Sequence, residues 1–467
     1  MHQFFLGLEK FRGTCNTVYK IRNNNGTLVT DEIEIVETFA KHFQNVYSDN
    51  IDSIEIDKNL DTFLNNIELK QLNDIEKNSL DRPLTLDELK HAFKGLNKNS
   101  SPGVDGLTME FYETFFDTIQ DILLEYYNYC FNQCALTKPV QIGLISLIHK
   151  GKSLSREEVS NWRPITLSNI DYKIIAKLLA NRIKSIMDKI VGRQQHGFIK
   201  GRNIANMIRS IDDILDYERN MNMNDLLLII DFKQAFDKIN THYITKVFEK
   251  YGFGDTFIQW LRTILANRTS CVKNGGHLSS FFNIFCGVKQ GCPIAPLLFV
   301  LAAEILAQNI IQDKKINGVQ LPYGNDQMKI IQFADDTSFF CQSIIDIREI
   351  LSRLKEFSSF TGLQINIKKC SIMCMGDDLN NFDKIENISC KEKVKIVGIV
   401  FDKNKSAGEV SENWETRIDK IKRIVKSWMK RNLTIIGKIQ VVKTFILSQF
   451  VYILQSIYVK KNKLLMK

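Results

Sequence analysis

A chain of 467 residues, 44% apolar and 25% charged, is long enough for two to four packed units, and this composition excludes wholesale disorder. Its net charge of +9 and pI near 8.9 permit a polyanionic partner without demanding one, because acidic groups are also abundant. The ten cysteines include the i, i+4 pairs Cys130/Cys134 and Cys370/Cys374 but no Cys-x-x-Cys or paired histidines, so they read as buried or free thiols of a reducing compartment.

The start, MHQFFLGLEKFRG, lacks the charged region, apolar stretch and cleavage site of a signal peptide. No internal repeat or long low-complexity run appears, and NNNG at 23–26 reads as a turn. Residues 31–47 space Val36, Phe39, Phe43 and Tyr47 along one helical face, with acids in the first turn. Residues 48–82 are polar and poorly periodic and read as a flexible connection. A new unit begins after Pro83, where Thr85 and Glu88 form a capping box for a helix lined by Leu86, Leu89, Phe93 and Leu96. The turn-rich NKNSSPGVDG breaks it, and a second amphipathic helix follows from about Met109 to Cys134. QIGLISLIHKGK and NWRPITLSN then look like strands around a charged loop. DYKIIAKLLANRIKSIMDKI is an amphipathic helix, with Lys173, Lys177 and Lys184 off its apolar stripe, and VGRQQHGFIKGRN is a loop with four basic residues.

The middle of the chain decides the fold. DLLLIID at 225–231 is a short continuous apolar run, the mark of a buried strand. Helices follow, the last from about Pro296 to Ile311; its apolar stretch Ile294 to Ala307 is short and carries Glu304, so it predicts a core helix and not a membrane span. MKIIQFA and TSFFCQ form a hairpin around Asp335-Asp336, then come a helix and a last strand, LQINIKKCSIM. The order β-α-β-β-α-β predicts a sheet in which the third strand lies antiparallel between the first and second. That topology carries Asp231, at the end of the first strand, to the turn holding Asp335 and Asp336. Three like charges there repel one another, and divalent cations that share carboxylate and phosphate oxygens relieve the repulsion. Two such ions can clamp the attacking and leaving oxygens of a phosphoryl transfer.

FADD at 333–336 resembles the catalytic hairpin of reverse transcriptases, and IIDFKQAFDKI at 229–239 resembles their first carboxylate motif. SPGVDG, NWRPITLSN, HGFIKGRN, GVKQGCPIAPLLF, GLQINIKKC and VKIVGIVF follow in the family's order, so the resemblance covers roughly residues 90–402. The alanine of FADD and the NWRPI and GFIKGR segments point to the non-LTR (LINE-type) retrotransposon branch. Residues 10–47 resemble the stretch before that polymerase, and 427–452 are similar to its helical thumb.

The resemblance implies an α+β right-hand polymerase with fingers, a βαββαβ palm and a helical thumb. Its expected division is an N-terminal helical extension and linker over 1–82, fingers and palm over 83–402, and a truncated thumb over 403–467. Asp231, Asp335 and Asp336 would be the catalytic carboxylates and ligands of two Mg²⁺ ions, Mn²⁺ substituting, with Asp336 the least demanding. Phe236 would block a ribose 2′-hydroxyl, Gln290 and Gly291 would pack under the incoming nucleotide, and Lys150 and Arg163 would grip its triphosphate. Lys369 would protonate departing pyrophosphate, although Lys368 beside it leaves that assignment open. Arg193, Lys200 and Arg202, with Phe198 between them, would track a template or primer backbone by phosphate and 2′-hydroxyl contacts. Ala295 and Cys370 stand where relatives often have serine, and neither change removes a ligand or charge. His149 and His196 read as structural.

The implied partners are an RNA template, a DNA primer or target and deoxynucleoside triphosphates, with no membrane. The implied location is intracellular, nuclear or cytoplasmic, as a ribonucleoprotein. Relatives carry an endonuclease before this region, so that step is expected from sequence beyond Met1 or from another protein. Two alternatives stay open: a decayed or domesticated RNA-binding copy, and a group II intron-type reverse transcriptase with maturase activity.

Overall fold

The computed structural model describes residues 17–23, 25–48, 53–151, 153–322, 326–375 and 383–459 and is mixed α/β. The opening MHQFFLGLEKFRG lies outside the described residues. The chain divides into two compact units. The first is drawn from the described parts of Met1–Ile190, Gln234–Ala302 and Ser359–Leu363, the second from Val191–Lys233, Ala303–Ser358 and Gln364–Lys467.

In the first unit the strand Ile142–His149 lies between Trp162–Ser168, antiparallel, and Thr269–Asn274, parallel. His277–Leu278 and Phe282–Asn283 both pair with Thr269–Asn274. The helix Glu32–Val46 starts where the Asp31 side chain accepts the Glu34 N–H, satisfying an otherwise orphaned donor. Its apolar stripe, Ile35, Phe39 and Phe43, packs into a cluster with Ile145, Leu147, Trp162 and Val272. The expected capping box at Thr85 and Glu88 is present, and the helix expected from Met109 runs Met109–Asn132.

The flexible connection expected over 48–82 is corrected: two helices, Ser53–Asn65 and Asp74–Asp81, occupy most of it. Tertiary contacts bury several apolar positions of these helices, while Ile75 stays exposed. Leu60, Phe63, Leu64 and Leu80 are buried, the Phe63 ring meets Phe360 at 4.9 Å, and Asn73 and Glu76 close a capping box. Arg182, on the helix Ile170–Lys184, fixes the segment after them by hydrogen bonds to the Leu80, Arg82 and Pro83 carbonyls.

The second unit is built on a six-stranded sheet. Leu226–Ile230 is flanked on both sides by antiparallel partners, Asp336–Cys341 and Ser371–Cys374, and Ile330–Phe333 pairs outside Asp336–Cys341. The third strand thus lies antiparallel between the first and second, as the element order predicts. The last strand, read as one run, is broken in two. Gln364–Ile365 pairs with Phe232–Lys233, and Ser371–Cys374 pairs with Leu226–Ile229. A turn separates them because the Asn366 carbonyl accepts from both the Lys369 and Cys370 N–H groups. Helices Ile204–Met221 and Ser448–Ser456 cover the sheet, contributing Ile208, Ile211, Leu215 and Ile453 to a core with Leu227, Ile331 and Phe340.

Two described helices are long and apolar enough to cross a membrane by length and composition. Ala295–Gln312 is 72% buried, which fits the expected core helix, whereas Ile435–Ser456 is mostly exposed, with Ile453 and Ser456 near its end buried. The described cysteines are free thiols.

Candidate active site

The strand Leu226–Ile230 is wholly aliphatic because both its neighbours and the covering helices exclude water, the usual reason for a continuous apolar run. Asp231 is the first polar residue beyond it. The register pairs Thr337 with Ile230, so the next step sets Asp336 opposite Asp231. Asp335 sits one residue earlier, in the hairpin turn between Phe333 and Asp336. The structure therefore brings the three aspartates to one strand end, as the topology predicts.

The turn is held in an unusual shape. Ala334 has φ +57°, the left-handed region that L side chains rarely adopt. Its N–H donates to the Gln195 side-chain oxygen at 2.9 Å, and the same oxygen accepts the Gly197 N–H at 2.8 Å. A Cβ on Gly197 would lie 2.6 Å from the Ala334 nitrogen, so this approach requires glycine. Residues 194–196 are tied alongside the hairpin by the Gln332 N–H to the Gln194 carbonyl and the His196 N–H to the Gln332 carbonyl, both 2.8 Å. Buried Glu304 anchors the same segment through the Gly192 N–H and the Gln194 amide.

Charge crowding at the aspartates is visible in Asp336. Enclosure of its carboxyl, then the charges of Asp335 and Asp231, push its pKa from 3.8 up to about 6, with Lys369 opposing. The Asn366 N–H donates to the Asp231 carbonyl at 2.8 Å, and the turn that follows carries Lys369 Nζ to 3.4 Å from Asp231 Oδ2. Lys369 rather than Lys368 is thus the lysine at the carboxylates. Asp231 Oδ2 is buried and accepts no hydrogen bond. Among the described residues no three His, Cys, Asp or Glu side chains form a ready-made ligand cage. The donor set still suits a hard cation such as Mg²⁺, which is commonly held by one or two carboxylates plus waters and substrate phosphates.

Of the basic residues 193–202, Arg193 and Lys200 are exposed, and so is Phe198. Arg202 turns inward, donating to the carbonyls of Gln195 at 2.9 Å, Val191 at 3.0 Å and Gly192.

The first unit holds the other expected residues. Arg163 is paired with Ile148 across the hairpin, and Lys150 lies two residues beyond Ile148, so Lys150 and Arg163 share one exposed face. Lys150 Nζ also donates to the Ser160 carbonyl at 2.5 Å. The Phe236 ring stacks on Phe299 with centroids 4.5 Å apart. Gln290 is fixed by its side-chain amide on Asp237 at 2.8 Å and by its carbonyl, which accepts the Thr166 N–H at 2.9 Å. Gly291 has φ +108°, and a Cβ there would lie 2.9 Å from the Thr166 oxygen.

Sequence reasoning passed over Lys289, between the quoted glycines of GVKQG. It is 4% exposed, donates to the Gln141 carbonyl at 2.7 Å and sits 4.5 Å over the Tyr172 ring. Burial, then Arg268, lowers its pKa from 10.5 to about 7. A base with a depressed folded pKa binds fewer protons folded than unfolded, so stability should rise with pH above 7. Urea titrations at pH 7.5 and 9 should show wild type gaining up to about 1.4 kcal/mol per pH unit over Lys289→Met. Equal slopes would refute the assignment.

A family model described as "Reverse transcriptase (RNA-dependent DNA polymerase)" matches residues 148–401. The "Transposon TX1 uncharacterized 149 kDa protein" of Xenopus laevis is 27% identical over 96% of this chain and 34% of its own length. A "Retrovirus-related Pol polyprotein from type-1 retrotransposable element R2" of Popillia japonica is 25% identical over 62% of the chain and 39% of its own length. The "Probable RNA-directed DNA polymerase from transposon X-element" of Drosophila melanogaster is 28% identical over 50% of the chain and 25% of its own length. The matched stretches span between a quarter and two-fifths of these relatives.

Proposed function

The chain belongs to the reverse transcriptase family, and from that membership we propose that it is an RNA-directed DNA polymerase of a non-LTR retrotransposon, extending a DNA primer 3′ end along an RNA template. The observation that carries this reading is the register that sets Asp336 opposite Asp231, with Asp335 in the same turn. Nothing in the fold gains from this repulsion, which is what a site built for divalent cations requires.

Asp231 and Asp335, with Asp336 third, would hold two Mg²⁺ ions, Mn²⁺ substituting. When bound, the ions would stabilise charge developing on the attacking and leaving oxygens. Lys369 balances Asp231 at rest and has a proton to give to departing pyrophosphate. Lys150 and Arg163 offer two cations on one face for a triphosphate, and Arg193 and Lys200 offer exposed charge to a nucleic-acid backbone. Arg202 shapes the loop that carries those charges. In this reading 83–402 are fingers and palm, 403–467 thumb and 1–82 an N-terminal extension. The protein acts as an intracellular ribonucleoprotein on RNA template, DNA primer and deoxynucleoside triphosphates.

The test is dTTP incorporation by the purified chain on oligo(dT)-primed poly(rA) with Mg²⁺. Extension that stops on chelation is expected; no extension in either metal would overturn the reading. Within it, Phe236 stands five residues after Asp231 with its ring fixed on Phe299. Phe236→Val should relax discrimination against ribonucleotides by roughly ten- to a hundredfold, because a bulky ring is what rejects one extra hydroxyl. Unchanged discrimination in an active variant would make the ring mere packing.

A further inference from the structure

Asp237, six residues after Asp231, is 2% exposed, yet both its oxygens are engaged. Tyr47 Oη donates to Oδ1 at 3.0 Å and Gln290 Nε2 donates to Oδ2 at 2.8 Å. A carboxylate only accepts, so it forces the Gln290 amide to turn its NH₂ toward Asp237 and its carbonyl away. An apolar residue would fill this position with less desolvation cost, so packing alone does not call for the acid.

Each member of this chain is itself held. The backbone around Gln290 is pinned by the Thr166 N–H and by the close approach of Gly291 to Thr166. Gly287, at φ +78°, lets the loop lie against Asp237, where a Cβ would come within 2.3 Å of the Asp237 carbonyl oxygen. Tyr47 caps the helix Glu32–Val46 through its N–H on Phe43, and its carbonyl accepts the Phe285 N–H at 3.0 Å. Tyr47 therefore lies outside the residues matched by the family model, 148–401, while Asp237 and Gln290 lie inside them.

We propose that Asp237 is a positioning residue that sets which face of the Gln290 amide is offered to the incoming nucleotide, and that Tyr47 of the N-terminal helix holds Asp237 for that task. This rests on the reading of the chain as a polymerase. Asp237→Asn is the informative change. Its Oδ1 still accepts from Tyr47, but its NH₂ now faces Gln290 and turns that amide over, conserving volume and the number of hydrogen bonds. Tyr47→Phe removes one donor and leaves the rest in place.

The experiment is steady-state incorporation of dTTP on oligo(dT)-primed poly(rA), with thermal melting of each variant alongside. The KM for dTTP should rise on the order of tenfold in Asp237→Asn and several-fold in Tyr47→Phe. The kcat and the KM for primer–template should stay at wild-type values. A merely structural Asp237 would lower kcat through lost active protein and leave the dTTP KM unmoved; that result overturns the proposal. If Asp237→Asn does not fold, Tyr47→Phe decides alone: a raised dTTP KM upholds the proposal and an unchanged one overturns it. Wild-type protein that extends no primer overturns both this inference and the polymerase reading.

Discussion

Asp231→Asn should abolish Mg²⁺-dependent extension while the chain stays folded and still binds RNA. Asparagine keeps the shape of the side chain at the end of Leu226–Ile230 and removes the charge. Metal stabilisation of a transferring phosphoryl group supplies several kcal/mol, and each 1.36 kcal/mol is tenfold in rate, so the loss should be roughly three orders of magnitude or more. The fold should not suffer. Asp336 has a folded pKa of about 6 against 3.8 unfolded, so the metal-free chain loses stability as pH rises through that window. Removing the Asp231 charge relieves part of this penalty. The ion pair it sacrifices, to the exposed Lys369, is worth at most about 1 kcal/mol. At pH 7.5 without Mg²⁺, the mutant should therefore melt within a few degrees of wild type or above it. Asp335→Asn should lose activity comparably. Near-normal extension by either folded mutant would remove the carboxylates from the chemistry, and a mutant that fails to fold would make their role structural.

What could be read in advance followed from local physics. A run such as LLLII declares a buried strand by itself, and element order is enough to convert a separation of about a hundred residues into contact between Asp231 and the Asp335-Asp336 turn. Segments whose order comes from distant partners stayed hidden. Ser53–Asn65 does carry Ile56, Leu60, Phe63 and Leu64 at helical spacing, but its polar, acidic surroundings obscure that stripe, and its Phe63 finds Phe360 only in the folded chain. The last strand looks continuous because its break at 366–370 is made by backbone hydrogen bonds that no side chain announces. The buried polar residues were the hardest. Asp237, Lys289 and Arg202 stand inside segments whose resemblance was plain, but a carboxylate, an ammonium and a guanidinium in a sequence look solvated until their partners are known. For Asp237 a signal did exist: an acid directly after Ala235 and Phe236, in a segment otherwise heading for the core.

Arg182→Met should cost the fold about 3–5 kcal/mol, a large share of what a domain has. The Arg182 side chain is 3% exposed, and its guanidinium spends all five N–H donors. Nε and Nη2 grip the two Glu88 oxygens at 2.9 and 2.7 Å, Nη1 donates to the Leu80 and Arg82 carbonyls at 2.7 and 2.8 Å, and Nη2 reaches Pro83 at 3.0 Å. Methionine fills the volume but leaves the partly buried Glu88 carboxylate with only the exposed Arg82 and its capping contact to Thr85, and strands three carbonyls. Arg182→Lys keeps the charge, yet three donors on a point-like ammonium cannot reproduce a planar fork, so it too should destabilise, though less. The double change Arg182→Met/Glu88→Met should recover part of the loss, because no uncompensated charge remains while the carbonyls still lack donors. Burial alone would raise the Glu88 carboxyl, but hydrogen bonds and charge from Arg182, then Arg82, bring it below its usual value. A depressed carboxylate stabilises above its unfolded pKa and loses that contribution as pH falls through the folded one. Urea midpoints at pH 7 and pH 4 read both effects: Arg182→Met should be much weaker than wild type at pH 7, and the gap should narrow at pH 4. A deficit below about 1 kcal/mol at pH 7, or a gap that widens on acidification, would mean that the clamp does not hold the 80–88 segment.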